Sequence, residues 1–157
     1  ERSGWAGEGS LFVVESCEYR RSFLDLAPGY AVVLGIEPDH FDCYRSLSEL
    51  QSAFAEFVAG VPSDGLVLAR GDCPVTRAAC SEVSASLRTF GRSPESDWWA
   101  SDVRRTVAGS RFRMFHGERF LVEISLEVPG RHNVDNALAA LDAGLDPTLR
   151  EEMSGWE

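Results

Sequence analysis

Apolar positions fall into two patterns along this chain, and the change between them divides it. In the first part, residues 11–15 (Leu-Phe-Val-Val-Glu), 31–36 (Ala-Val-Val-Leu-Gly-Ile) and 65–69 (Gly-Leu-Val-Leu-Ala) are apolar runs without polar alternation. Such runs read as strands buried on both faces, the kind found in parallel sheets. Between the second and third, Ser46-Leu47-Ser48-Glu49 has the form of a capping box, with Ser as the cap and Glu three residues on. The helix it opens places Leu47, Leu50, Phe54, Phe57 and Val58 on one face and ends at Gly60, before Pro62. Residues 75–84 read as a short helix and 86–90 as a further strand. Strand and helix alternating in this way predict a parallel sheet flanked by helices.

Beyond Gly91 the pattern changes. Three consecutive segments, 98–106, 110–116 and 119–128, read as strands, with Phe120, Val122, Ile124, Leu126 and Val128 alternating with polar residues. Gly117-Glu118 fits a hairpin turn joining the last two, so an antiparallel extension is expected on the parallel sheet. After Pro129-Gly130 a helix is expected from about Asn133 to Gly144, with Val134, Ala137, Leu138 and Leu141 on one face. Asp146-Pro147 reads as the cap and first turn of a last helix. The whole is expected to be one α/β domain of mostly parallel sheet, since 157 residues suit a single core.

Charge and composition narrow the function classes. The chain has 25 Asp and Glu against 15 cations, for a formal charge of −10, and all 15 cations are arginine. Without lysine there is no phosphate-loop lysine, Schiff-base lysine or carbamylated lysine within these residues. An acidic chain with no long basic stretch argues against nucleic acid as a partner. No apolar run reaches the roughly 20 residues of a membrane span, and the first residues do not form a signal peptide, so a cytoplasmic protein is expected. The absence of an initiator methionine suggests a piece of something longer. Cys17, Cys43, Cys73 and Cys80 form no C-x-x-C, so reduced, buried thiols are expected rather than zinc or disulfides.

Two expected strand tips carry the most polar motifs, Glu15-Ser16-Cys17-Glu18-Tyr19-Arg20-Arg21-Ser22-Phe23-Leu24 and Ile36-Glu37-Pro38-Asp39-His40-Phe41-Asp42. Ligands of open α/β sheets bind outside the carboxyl ends of the strands. Carboxylates there, with one imidazole, suit a hard divalent cation such as Mg²⁺, although solvated acidic loops would give the same composition. A third motif, Pro129-Gly130-Arg131-His132-Asn133-Val134-Asp135-Asn136-Ala137-Leu138-Ala139-Ala140, sets Asn133 and Asn136 three apart at a helix start. Their amides could read a purine edge, or Asn133 could simply cap the helix.

Taken in order, E-x-x-E-x-x-x-S-F-L, I-E-P-D-H-x-D and P-G-R-H-N-x-x-N-A-L-A-A closely resemble the central domain of the Mur ligases, from about Leu11 to Leu145. These are ATP-dependent amide-bond-forming enzymes of peptidoglycan synthesis. The resemblance implies a domain of the phosphate-loop NTPase type, here without the phosphate-loop segment, and is strongest to the branch that adds L-alanine to UDP-N-acetylmuramate through an acyl phosphate. It implies that Glu15 binds the Mg²⁺ accompanying ATP and that His40 binds a second Mg²⁺. It likewise implies that Asn133 and Asn136, with His132 adjacent, lie against the adenine. Phe54 stands near the place of the carbamylated lysine of other branches, as in the alanine-adding branch. Where the family has E-A-D-E-S-D this chain has Glu15-Ser16-Cys17-Glu18-Tyr19-Arg20, so two aspartates are replaced. The family's G-x-x-G-K-T-T is expected upstream of Leu11, and flanking N- and C-terminal domains are expected as partners. The chain alone is therefore expected to be catalytically inert. A murein-tripeptide recycling ligase and a non-catalytic nucleotide- or metal-binding paralogue are the alternatives.

Overall fold

A computed structural model describes residues 11–39 and 42–145. Six strands form one sheet in sequence order, β1 (Tyr30–Val33), β2 (Leu66–Arg70), β3 (Ser86–Gly91), β4 (Trp98–Arg105), β5 (Ser110–His116) and β6 (Arg119–Leu126). The pairs from β1 to β4 are parallel, and β4–β5 and β5–β6 are antiparallel. The mostly parallel sheet with an antiparallel extension is thus the architecture expected. β2 is buried along four of its five residues, which is why its sequence lacks alternation.

One face of the sheet is covered by α1 (Leu47–Ala59), α2 (Pro74–Ala79) and a 3₁₀ segment, Tyr19–Asp25. The other is covered by α3 (Arg131–Leu145) over Leu66, Leu68, Phe90, Phe112 and Met114. The predicted cap of α1 is present. Ser46 Oγ accepts from the Glu49 N–H at 3.1 Å, while the Glu49 carboxylate accepts from the Arg45 N–H at 2.8 Å. Leu50 and Val58 are buried, and Phe54 and Phe57 each lie 5.0 Å, ring to ring, from Phe23 of the 3₁₀ segment.

The structure departs from the expected elements in four places. Residues 11–15 form no strand, and Phe12, Val13 and Val14 are exposed. An apolar run gains from extended structure only when its backbone is paired and one face is covered, and neither happens here. α2 stops at Ala79, because only Thr76 and Ala79 of its residues are buried and packing supports little more than one turn. In β6 the pairing shifts register between Met114 and Phe115, so Leu121 turns inward with Ile124 and Leu126 and Phe120 passes to the other face opposite Phe115, while Val122, still opposite Met114, is left exposed. A single extra residue in one strand reverses the faces of everything beyond it. Finally, α3 starts at Arg131, and its buried residues are Val134, Asp135, Leu138, Ala139 and Asp142, a face that includes two carboxylates. The last predicted helix, from Asp146, lies outside the described residues.

Phe23 is 3% exposed and is the main anchor of the 3₁₀ segment on α1. Replacing it with Ala should cost about 3 kcal/mol of unfolding free energy, by lost transfer energy and an unfilled space, and Phe23→Leu about 1 kcal/mol. Urea unfolding followed by circular dichroism measures both; a cost below 0.5 kcal/mol for the alanine variant, on the order of a surface change, would show that the segment is not held this way.

Candidate functional site

The residue before the 3₁₀ segment, the strand ends and the start of α3 meet around a cleft of about 320 Å³. It is lined by Glu18, Leu34, Gly35, Glu37, Asp39, Arg70, His132, Asp135 and Asn136. Leu34 to Asp39 follow β1 and Arg70 ends β2, so the cleft lies outside the carboxyl ends of parallel strands, where open α/β sheets bind ligands.

Each wall has a local cause. Glu18 is fixed through its backbone: the hydroxyl of Tyr44, itself 2% exposed, donates to the Glu18 carbonyl. After Glu18 the chain turns through Arg20 and Arg21, both left-handed with φ of 52° and 58°. A left-handed arginine carries a backbone cost of about 1–2 kcal/mol. The arginine cation–aromatic contact with Tyr19, 5.5 Å from Arg20 to the ring centroid, and the ion pair of Arg21 with Glu56 offset part of it. On the opposite side, Gly130 has φ of +112°, and a Cβ there would lie 2.7 Å from the His132 ring. Glycine at 130 therefore lets the imidazole fold back beside the helix start.

Of the residues singled out in the sequence, His132 and Asn136 line the cleft and are exposed to it. Asn133 is on the same turn, but its amide donates to the Pro129 carbonyl at 2.7 Å and secures the start of α3. Glu15 is exposed and is not among the lining residues, where Glu18 takes the place nearest to it in sequence. His40 lies outside the described residues. The carboxylates of Glu18, Glu37 and Asp39 are hard oxygen donors and fit Mg²⁺ in type. Among the described residues, no three His, Cys, Asp or Glu side chains converge on a point where an ion could be held.

Beneath the cleft is a four-membered charge network that the sequence reading did not single out. Arg70 Nε donates to Asp72 Oδ1 at 2.7 Å, and Arg70 Nη2 lies 3.4 Å from Asp135 Oδ2. The backbone N–H of Arg92 donates to Asp72 Oδ2 at 3.2 Å, and Arg92 Nε lies 3.2 Å from Asp135 Oδ1 as an ion pair without hydrogen-bond alignment. Burial pushes the Asp135 carboxyl upward, and the attraction of Arg70 and Arg92 offsets only part of this. Burial acts the same way on Asp72, but its hydrogen bond and charge contact with Arg70, aided by Arg92, pull it below the usual carboxylate value. The available signal was Asp135 and Asp142, seven apart on what is otherwise the apolar face of α3.

The sequence profile of the Mur ligase middle domain matches residues 6–144. The chain belongs to the Mur ligase family. As a Mur ligase middle domain it is 40% identical over 147 residues to the UDP-N-acetylmuramate–L-alanine ligase of Chlorobaculum tepidum, covering 93% of this chain and 31% of that relative. The chain spans about a third of the length of the curated relatives it matches. Solved Mur ligases share its fold. The UDP-N-acetylmuramate-alanine ligase MurC of Thermotoga maritima matches 85% of this chain and 30% of its own, with a TM-score of 0.62 and 24% identity. The MurF ligase of Thermotoga maritima, solved in complex with ADP, matches 74% of this chain and 27% of its own, with a TM-score of 0.64 and 14% identity. Among the described residues of this Mur ligase domain, no helix is long and apolar enough to cross a membrane.

A pH prediction follows from Asp72. Its native pKa lies below the ordinary 3.8, so its stabilisation is complete above that value and is lost as pH falls through the native pKa. Asp72→Asn should therefore lower stability at pH 7 by about 2 kcal/mol, and the gap from wild type should shrink below pH 3.8. Urea midpoints compared at neutral and acid pH give the gap; one that does not narrow would contradict the assignment.

Proposed function

We propose that this chain is the nucleotide-binding middle portion of a cytoplasmic ligase of peptidoglycan synthesis, joining L-alanine to UDP-N-acetylmuramate. In this reading ATP phosphorylates the sugar carboxylate, and the amino group of L-alanine attacks the resulting acyl phosphate with loss of phosphate. The supporting observation is the cleft at the strand ends, where carboxylates and the exposed amide and imidazole of α3 share one space. The 40% identity to an L-alanine ligase supports the choice of amino acid and acceptor, and the ADP complex of the Thermotoga maritima relative supports the nucleotide.

The chain's own residues divide the work. The Asn136 amide offers both a donor and an acceptor to a purine edge, with the His132 ring beside it. Asn133 spends one donor on Pro129 and keeps this turn in place for the base. Glu15 and His40 would hold Mg²⁺ in this reading, and Glu18, Glu37 and Asp39 give the cleft its own negative charge. The cation, when bound, would offset charge on the transferring phosphoryl group.

The reading is tested first by adding ATP, Mg²⁺, L-alanine and UDP-N-acetylmuramate. The full-length protein should release phosphate only with both acceptor and amino acid present, and the 157-residue chain should release none above background. Release that ignores either substrate would overturn it. Glu15→Ala or His40→Ala in the full-length protein should lower Mg²⁺-dependent turnover by orders of magnitude.

The two asparagines should separate in a binding experiment. Asn136→Ala should weaken ADP binding about tenfold, the value of one or two good hydrogen bonds, with an unchanged melting temperature. Asn133→Ala should weaken binding and also lower the melting temperature, because it releases the helix start. Calorimetric titration with thermal melts distinguishes them; identical behaviour of the two variants would remove this division of roles.

A further inference from the structure

The charge network beneath the cleft leaves donors unused on both arginines, Nε and Nη1 of Arg92, which are buried, and Nη1 of Arg70, the arginine that lines the cleft. Arg70 commits Nε to Asp72 and Nη2 to Asp135, and among the described residues Nη1 has no hydrogen-bond partner. Arg70 is not sealed away, for its side chain is 19% exposed and lines the cleft. Nη1 also has a known neighbour: a Cβ added at Gly35, another lining residue, would lie 3.7 Å from it. Glycine at 35 leaves the approach to this nitrogen open.

We propose that Arg70 is the cleft's phosphate-binding cation, presented through Nη1 and positioned by Asp72 and Asp135. The inference rests on the nucleotide reading above and deepens it, assigning the anionic part of the ligand to a residue outside the three sequence motifs. The cleft lining otherwise holds Glu18, Glu37, Asp39 and Asp135, which repel a phosphate. An anion entering it needs a fixed positive group, and among the lining residues Arg70 is the permanent cation. Arginine side chains ordinarily lose rotamer freedom when they grip an anion. Here two carboxylates already hold the guanidinium, so that loss is incurred on folding rather than on binding. A planar fork can serve both carboxylates along two edges and keep a third nitrogen for the ligand. The arrangement discriminates a nucleoside polyphosphate from a nucleoside, because only the former has a charged phosphate oxygen for Nη1.

The experiment compares adenosine and ADP as ligands of this chain, by calorimetric titration in one Mg²⁺-containing buffer. Arg70→Met alone would strand two carboxylates without their partner, so it is combined with Asp135→Asn and compared with Asp135→Asn by itself. Removing Arg70 should weaken ADP binding about tenfold, the scale of a hydrogen bond to a charged group, and leave adenosine binding unchanged. A purely structural role would weaken both ligands together, and that result overturns the inference, as does undiminished ADP affinity. If the double variant does not fold, the wild-type chain decides by arginine side-chain NMR. The Arg70 guanidinium signal should shift on adding ADP and hold on adding adenosine; an equal response to both, or to neither, overturns the inference. Wild-type protein that binds neither ligand overturns the nucleotide reading and this inference together, whereas ADP binding indifferent to Arg70 overturns this inference alone.

Discussion

The seating of α3 on the sheet is governed by two carboxylates that have left water. Asp142 has no exposed side-chain surface and Asp135 has 5%, and burial raises the pKa of both. Each is answered by arginine from the sheet side, Asp142 by Arg88 at 3.2 Å and Asp135 by Arg70 and Arg92. Such pairs add little net stability over an apolar contact, but separating one costs about 3–5 kcal/mol because a bare charge stays buried. Sliding α3 by one turn would separate both. The pairs therefore act on alignment more than on strength, and the alignment they select puts His132 and Asn136 on the cleft.

The rest of the cleft inherits this constraint. The remaining walls are loops leaving β1 and β2 and the segment before the 3₁₀ turn, none of which has a regular ladder to hold it. Glu18 is tethered by Tyr44, and Tyr44 is held by the core under α1. Two cores on opposite faces of one sheet, Phe23 with α1 and Phe90 with α3, thus position opposite walls of a single space. The antiparallel strands contribute at a distance, since Phe112 and Met114 extend the floor on which α3 lies.

How much of this could be read in the chain depended on how local its cause was. The capping box of α1, the unbroken apolar run of β2 and the Gly117 turn are decided within a few residues, and all are found. The parity of β6 depends on a bulge in its pairing with β5, which no alternation within β6 reveals. Residues 11–15 have the composition of a strand, yet strand formation depends on a partner elsewhere. At the site, the motif holding His132, Asn133 and Asn136 was legible, but the different duties of the two asparagines follow from Pro129 and the path of the backbone. Arg70, Asp72, Arg92 and Asp135 escaped because they come from three separate segments, the ends of β2 and β3 and the helix α3, and only the fold makes them neighbours. Glu15 is on the surface and Glu18 on the cleft, a difference that also depends on the path of the folded chain.

The complete absence of lysine has a structural consequence beyond the chemistry it excludes. Every cation available for a buried pair is a guanidinium, and in this network each of two arginines contacts both aspartates. An ammonium is a compact point charge, more strongly hydrated, and offers no pair of parallel donors to a carboxylate. Lysine at position 70 could approach Asp72 or Asp135 but would have no second edge with which to keep both and no nitrogen left over for the cleft. The network closes because each arginine bridges β-strand end and helix at once. Its net charge is zero, so it adds nothing to the acidity of the cleft above it.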